Sequence, residues 1–187
     1  MKEYTSDLIR NIALVGHQGA GKTSLAESLL FNTGAITRLG KIEERNTVAD
    51  FDEEERNRTM SIYTALLPVE HNGHKINVLD APGFVDFQGE AKNAVRASDA
   101  VVVVVDAVSG PEVGTELAFD YAKEFGLPIM VVINKMDREN ANFYNTLKLL
   151  RERFAHHRFV PVLLPIGSQA SFSGVINLLT NVAHTGV

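Results

Sequence analysis

A run of residues near the amino terminus has the types and spacing of a phosphate-binding loop. It reads Gly16-His17-Gln18-Gly19-Ala20-Gly21-Lys22-Thr23, with Ser24 directly after it. Glycines let backbone N–H groups point at phosphate oxygens, and a helix that begins at the end of such a loop adds the positive end of its dipole. The lysine of this pattern reaches the β- and γ-phosphates, and the threonine hydroxyl ligates Mg²⁺. The run therefore predicts a site for a nucleotide phosphate and Mg²⁺.

A second candidate is the turn Asp80-Ala81-Pro82-Gly83, which follows an apolar strand pattern at residues 76–79. An aspartate in this position can hold Mg²⁺ through water. The Gly83 N–H can approach a γ-phosphate because no side chain blocks it. The pattern is weak when taken by itself, since Asp and Gly are common in turns.

A third candidate, Asn134-Lys135-Met136-Asp137, follows a fully apolar strand pattern at residues 129–133. A carboxylate in the plane of a base accepts from guanine N1–H and the N2 amine together, a donor pair that adenine lacks. Asp137 is therefore expected to select guanine. Asn134 is expected to tie neighbouring loops together, and the Lys135 stem to pack along the base.

Strand and helix patterns alternate almost throughout the chain, which predicts an α/β fold of the P-loop NTPase type. We expect a mostly parallel six-stranded sheet with helices on both faces and one antiparallel edge strand. The strand patterns cover residues 11–15, 61–70, 75–80, 100–105, 129–133 and 160–166, and the helical patterns cover 21–32, 87–98, 112–125 and 141–154. Asn72-Gly73 predicts a type I′ hairpin.

Residues 41–58, which we call the charged segment, show little hydrophobic periodicity. The segment is either a solvated loop or one that orders only around a ligand.

The composition limits the possible partners and compartment. The chain has 187 residues, room for one domain, and its net charge of −5 argues against a broad nucleic-acid-binding face. It has no cysteine, which rules out disulfides and cysteine–metal sites and fits a reducing compartment. No apolar run approaches the roughly 18 residues of a membrane span. We expect a cytoplasmic monomer that uses no membrane partner.

The motifs together resemble the G domain of bacterial elongation factor G, from about residue 10 to about residue 182. The matching blocks are the phosphate loop, Asp-Ala-Pro-Gly-Phe-Val-Asp-Phe, Asn-Lys-Met-Asp-Arg-Glu-Asn-Ala-Asn-Phe-Tyr and residues 164–179. The resemblance implies binding of GTP or GDP with Mg²⁺, GTP hydrolysis, and engagement of the ribosome through the full-length protein. It also implies that Thr59 ends the first switch loop and is a second protein ligand of Mg²⁺. Lys22, Thr59 and Gly83 would have catalytic roles.

The sequence departs from this family at several positions, of which Phe84 matters most. Phe84 stands where the family has the histidine that orients the attacking water, and a phenyl ring has no polar atom for that task. The other departures are Gly19, Asn57-Arg58 and Ala81. We therefore expect a divergent elongation factor G-like GTPase in which hydrolysis is slow. The alternatives are a stand-alone small regulatory GTPase and a ribosome-binding regulator that binds GTP without hydrolysing it.

The carboxyl-terminal part leaves the domain boundary open. Leu164-Pro165-Ile166-Gly167 resembles the point where the family's inserted subdomain begins. We therefore expect residues 1–187 to be a G domain truncated at the start of that subdomain, at about 160–187. The rival interpretation takes Ser168-Gln169-Ala170 as a degenerate form of the family's final guanine-contacting motif.

Overall fold

The computed structural model describes residues 2–186. Its strands are β1 (Ile9–Val15), β2 (Ala65–His71), β3 (His74–Asp80), β4 (Ala100–Asp106), β5 (Ile129–Asn134), β6 (Leu163–Ile166), β7 (Gly174–Asn177) and β8 (Val182–Thr185). Its helices are α1 (Lys22–Asn32), α2 (Glu53–Arg58), α3 (Gln88–Arg96), α4 (Val113–Phe125) and α5 (Phe143–Arg153). Among these residues no helix has the length and apolar character needed to cross a membrane.

The central sheet has five strands in the order β2-β3-β1-β4-β5. β1 lies parallel to both β3 and β4, and β2 is the antiparallel edge strand. Asn72 and Gly73 at the β2–β3 turn both have positive φ, as a type I′ hairpin requires. The predicted α/β fold with a mostly parallel sheet is confirmed.

The core forms on both faces of β1 and β4. Leu14 and Val104 belong to a buried cluster that also contains Ala26 and Leu30 of α1. The alternate residues of the two strands are buried as well, with Ala13 at 0% exposure. Because side chains alternate along a strand, this burial means that the sheet is covered on both faces.

The prediction of a sixth strand in the central sheet is wrong. Residues Leu163–Ile166 pair antiparallel with β7, which pairs with β8, so these strands form a separate three-stranded sheet. A short connection joins β6 to β7, and closing a short local loop costs little entropy. The central sheet therefore has five strands, and the antiparallel sheet has three.

The other differences lie between α1 and β2, in residues 33–64, which we call the α1–β2 connection. The charged segment is not loop throughout, because it contains α2, whose capping box is formed by Asp52 and Glu55. β2 begins at Ala65 and not at residue 61. The reason is that the N–H groups of Ile62 and Tyr63 donate to the Glu55 carboxylate instead of to a neighbouring strand.

The chain divides into two compact units. Unit 1 runs to Val104 and includes Val113–Val132, and unit 2 consists of Val105–Glu112 and the residues from Ile133 onward. Unit 2 has a small core of its own, in which Met136, Ala107 and Ala141 are buried. The phosphate-side candidates belong to unit 1 and the base-side candidates to unit 2.

Candidate nucleotide site

The phosphate-binding loop of unit 1 joins β1 to α1, and its glycines adopt conformations that other residues avoid. Gly21 is the N-cap of α1 with φ 95°, and no side chain caps the helix. The first N–H groups of α1 are thus left for another acceptor. Gly16 has φ 142°, and a Cβ there would collide with the Val104 carbonyl. Both positions require glycine, as the loop pattern predicts.

The remaining loop residues are positioned by their neighbours. Gln18, Gly19 and Ser24 are exposed, and Ala20 is buried in the core of unit 1. The His17 Nδ1 accepts a hydrogen bond of 3.3 Å from the N–H of Gly114, which lies in the first turn of α4. This bond ties the outside of the loop to a second helix.

Lys22 lies beneath the loop. Its side chain is buried, and its Nζ donates to the His17 carbonyl at 3.1 Å. Burial lowers the pKa of Lys22, and the nearby Asp80 carboxylate opposes part of that shift. A Cβ on Gly83 would meet the Lys22 Nζ and would lie 2.7 Å from the Gln18 backbone nitrogen. Gly83 therefore lies against the loop, and the approach of its N–H to a γ-phosphate stays a prediction.

Thr23 and Asp80 meet at the end of β3. The Thr23 Oγ1 donates to Asp80 Oδ2 at 2.7 Å, and both residues are buried. Burial raises the pKa of Asp80 to about 7, against the opposing effects of Lys22 and of the Thr23 hydrogen bond. Within residues 2–186, Asp80 Oδ1 is buried and has no hydrogen-bond partner. An orphaned carboxylate oxygen beside a threonine hydroxyl fits Mg²⁺, which takes oxygen ligands.

Thr59 is not brought to this pair. It is exposed, it has φ 52° at the end of α2, and its hydroxyl donates to the carbonyl of Arg58. Ser61 lies there instead, with its Oγ 3.3 Å from Thr23 Oγ1. The part of Thr59 in metal binding stays a prediction.

Two buried glutamates that the sequence analysis missed hold the α1–β2 connection. Glu27 of α1 is 0% exposed, and its carboxylate accepts from the N–H groups of Gly40, Val48 and Ala49. Glu55 of α2 accepts from Asp52, Ile62 and Tyr63 in the same way. Asp52 and Glu55 have the spacing of a capping box, a signal present in the sequence. No local sequence pattern indicates that Glu27 is buried.

Phe84 is half-buried and lines a groove of unit 1. The groove also contains Gly16 of the phosphate loop and the α4 side chains Leu117 and Tyr121. Its wall beside Phe84 is thus aromatic and aliphatic. The ring supplies no group that could hold a water molecule.

The base-side candidates of unit 2 form an anchored turn after β5. The Lys135 Nζ lies 2.8 Å from Asp106 Oδ2 at the end of β4. Burial, the largest single effect, would raise the pKa of Asp106, but the hydrogen bond and charge of Lys135 and the backbone hydrogen bonds from Val108 and Ser109 together hold that pKa below its ordinary value. Met136 is buried, whereas Asp137 is exposed. The Lys135 ion pair and the burial of Met136 hold the turn, and Asp137 lies exposed directly after them.

Backbone hydrogen bonds complete this turn. The Ala107 N–H donates to the Asn134 carbonyl at 2.9 Å, so Asn134 joins the loops after β4 and β5. The Gln169 N–H donates to the Met136 carbonyl at 2.8 Å. The Ser168–Ala170 turn is therefore bonded to the base-side turn. Asp106 is a further residue that the sequence analysis missed, although an acidic residue after a run of valines was a signal.

Comparison with known proteins gives two findings. The family model described as the elongation factor Tu GTP binding domain matches residues 7–185. A crystal structure of a protein from Thermus thermophilus is similar, with a TM-score of 0.90 and 39% sequence identity. The match covers 96% of this chain and 27% of that protein, so the chain spans about a quarter of its relative's length.

Proposed function

The chain belongs to the family of elongation factor Tu GTP-binding domains, and from this premise we propose that it is the GTPase domain of an elongation factor G-like translation factor. The family is a GTP-hydrolysing G domain of the translation-factor type, and it binds guanine nucleotides. The proposal adds the elongation factor G-like role, action on the ribosome through the full-length protein, Mg²⁺ and a cytoplasmic location as a monomer. The matching motif blocks from Gly16 to Leu179 support it.

The observation that carries the proposal is the group of residues around the phosphate loop. Lys22 is buried beneath the loop, where its charge is incompletely compensated, and Gly83 lies against it. An anionic phosphate would restore the lost stabilisation of the ammonium ion. The N–H groups in the first turn of α1, which no side chain caps, would receive phosphate oxygens, as helix N-termini do.

Mg²⁺ would be held by Thr23, with Asp80 acting through water. When bound, the ion supplies positive charge that stabilises the negative charge developing on the transferred phosphoryl group. The Thr23 hydroxyl would offer a lone pair to the ion while it continues to donate its proton to Asp80 Oδ2. Lys22 would neutralise phosphate charge in the same region.

Guanine would be selected by unit 2. The ion pair with Asp106 holds Lys135, and the burial of Met136 holds the backbone beside it. The exposed Asp137 carboxylate is then available to a base. A carboxylate so placed accepts from both guanine donors.

Residues Leu163–Thr185 fit an inserted subdomain, which is the boundary that the family resemblance implies. Their three strands pair only with one another within the described residues. We place this small sheet outside the central sheet that carries the nucleotide site.

The proposal is tested by calorimetry of the chain with GTP and ATP and by GTP hydrolysis of the full-length protein with and without ribosomes. We expect binding of GTP with Mg²⁺, no comparable binding of ATP, and hydrolysis that ribosomes accelerate. Lys22→Ala is the control, because it removes a phosphate contact and leaves the base-side turn intact. Equal affinities for ATP and GTP, or hydrolysis indifferent to ribosomes, would contradict the proposal.

A second candidate is a regulator that binds ribosomes in the presence of GTP but does not hydrolyse the GTP. The observation in its favour is Phe84 in an apolar groove with Leu117 and Tyr121. Single-turnover hydrolysis on ribosomes separates the two. A chain that sediments with ribosomes in the presence of GTP but leaves the GTP intact is the regulator.

A further inference from the structure

A buried carboxylate of α1 holds the first half of the α1–β2 connection by its backbone. Glu27 is 0% exposed, and its carboxylate accepts from the N–H groups of Gly40, Val48 and Ala49. All three donors are backbone groups of the connection, so the chain makes this contact by itself. A carboxylate is tolerated in the interior only where donors converge on it, as they do here. Glu27 therefore fixes both ends of residues 40–49.

Close packing accompanies these hydrogen bonds. A Cβ on Gly40 would lie 2.5 Å from Glu27 Oε2 and 2.8 Å from the Cα of Thr47, so the backbone comes near the carboxylate only because residue 40 is glycine. Ala49 is 3% exposed and belongs to the same buried cluster as Leu14 of β1. The first half of the connection is therefore attached to the core of unit 1.

Glu55 holds the second half in the same way. It is the buried residue of α2, at 1% exposure. Its carboxylate accepts from the N–H of Asp52, before the helix, and from the N–H groups of Ile62 and Tyr63, after it. One side chain thus joins the two ends of a loop that contains the whole of α2.

Asp50 links the two halves. Its carboxylate accepts from Thr47 Oγ1 at 2.8 Å and from Ser61 Oγ at 2.9 Å, and its carbonyl accepts from Arg56 Nε at 2.8 Å. Thr47 lies in the stretch that Glu27 holds, whereas Arg56 and Ser61 lie in the loop that Glu55 closes. The two halves therefore form one connected unit.

Residues 57–60, at the end of α2, have no comparable attachment. Within the described part of the chain none of them is buried, and their side-chain hydrogen bonds stay local. Arg58 Nε donates to Glu54, and Thr59 Oγ1 donates to the Arg58 carbonyl. Thr59 also has φ 52°, a left-handed conformation that costs free energy in a threonine. A short exposed stretch with a strained residue is where such a unit rearranges most easily.

We propose that the α1–β2 connection is a preformed element, kept folded by Glu27 and Glu55 whether or not a nucleotide is bound, and that GTP rearranges only residues 57–60. The part that concerns GTP rests on the proposed function, and the part that concerns the two glutamates does not. The charged segment is then neither a solvated loop nor a segment that orders only around a ligand. A partner that senses the nucleotide would contact the end of α2 and not the whole connection.

The test is amide exchange of the full chain, followed by mass spectrometry, without nucleotide and with GTP and Mg²⁺. Without nucleotide, residues 40–50 and 61–63 should exchange at least about 10-fold more slowly than unstructured peptides of the same sequence. GTP should change the exchange of residues 57–60 and leave the other two stretches within about twofold. Two results would overturn the proposal: fast exchange of residues 40–50 that becomes slow only with GTP, or a GTP effect there as large as that on residues 57–60.

Glu55→Gln tests whether the carboxylate causes the protection. An amide turns an N–H toward at least one of the three donors, so residues 61–63 should exchange about 10-fold faster or more. Glu53→Gln is the matched control, because Glu53 is an exposed residue of the same helix. Equal exchange of residues 61–63 in the two variants would reject the part assigned to Glu55.

Gly40→Ala tests the Glu27 contact from the other side, because the added Cβ pushes the backbone away from the carboxylate. We expect exchange of residues 40–50 to rise about 10-fold or more. Gly89→Ala is the control, since a Cβ there meets nothing within 4 Å. Equal exchange in the two variants would reject the part assigned to Glu27. Neither comparison needs nucleotide, so both still decide the role of the glutamates if the chain fails to bind GTP and the proposed function is wrong.

Discussion

The ammonium group of Lys135 lies 2.8 Å from the Asp106 carboxylate, which joins the turn after β5 to the end of β4. The pair is mostly buried, with 22% and 12% of the two side chains exposed. Lys135 has φ 61°, a conformation that needs support from its surroundings. The ion pair supplies that support two residues before Asp137, so the carboxylate that we propose selects guanine depends on a residue outside its own motif.

We expect Asp106→Asn to lower the free energy of unfolding by about 1–3 kcal/mol, because the Lys135 ammonium loses its charged acceptor. GTP affinity should fall several-fold through misplacement of the base-side turn. Urea unfolding and calorimetry measure the two effects. Glu152→Gln is the control, since its pair with Lys148 is exposed and long at 3.8 Å, and such pairs contribute under about 1 kcal/mol. Equal effects of the two substitutions would contradict this interpretation.

Asp137→Asn should weaken GTP binding and favour xanthosine triphosphate. The new amide donates where guanine N2 also donates, whereas xanthine presents an oxygen there. Leaving a polar group unpaired costs about 1–3 kcal/mol, which corresponds to roughly a 5- to 150-fold loss of affinity. Calorimetry with both nucleotides measures it, and Glu139→Gln, an exposed neighbour, is the control. Unchanged GTP affinity in Asp137→Asn would exclude Asp137 from base recognition.

Phe84→His should raise single-turnover hydrolysis of GTP without changing its affinity. The phenyl ring cannot orient water, whereas a positioned acid–base side chain contributes on the order of 10²–10⁴-fold. Phe84→Ala opens the groove without adding an imidazole, so it separates the chemistry from the packing. If Phe84→Ala accelerates hydrolysis as much as Phe84→His, the ring acts as a steric gate. If neither variant hydrolyses GTP faster than the wild type, Phe84 does not slow hydrolysis.

Glu27→Gln should loosen the α1–β2 connection. The Glu27 carboxylate accepts from three backbone N–H groups, at 2.6 Å from Val48 and 3.2 Å from both Gly40 and Ala49. An amide turns an N–H toward at least one of these donors, and the bond is lost. We expect faster amide exchange in residues 40–50 by about 10-fold or more, equivalent to roughly 1.4 kcal/mol. The exposed Glu43→Gln is the control, and exchange equal in both variants would show that Glu27 does not hold the segment.

Most of the central sheet was predictable from the sequence, because each strand there is a short apolar run between clear turn signals. Ala100–Asp106 with its valines and the Asn72-Gly73 turn are local patterns, and the structure has both. The sequence analysis placed Leu163–Ile166 in the wrong sheet, because the sequence of a four-residue apolar strand does not indicate which strand it pairs with. The pairing of β6 with β7 depends on a strand that the sequence analysis did not identify.

The amino-acid sequence by itself determined the chemistry available to this protein. The phosphate loop, Asp80 with Gly83, and Asp137 are each set by residue types a few positions apart, and backbone conformation at Gly16 and Gly21 follows from the absence of a side chain. Tertiary structure alone decided which hydroxyl faces Thr23, because Ser61 lies 38 residues away and its orientation depends on Asp50. It also decided that Glu27 and Glu55 are buried, since a carboxylate enters the interior only where folded backbone N–H groups converge on it.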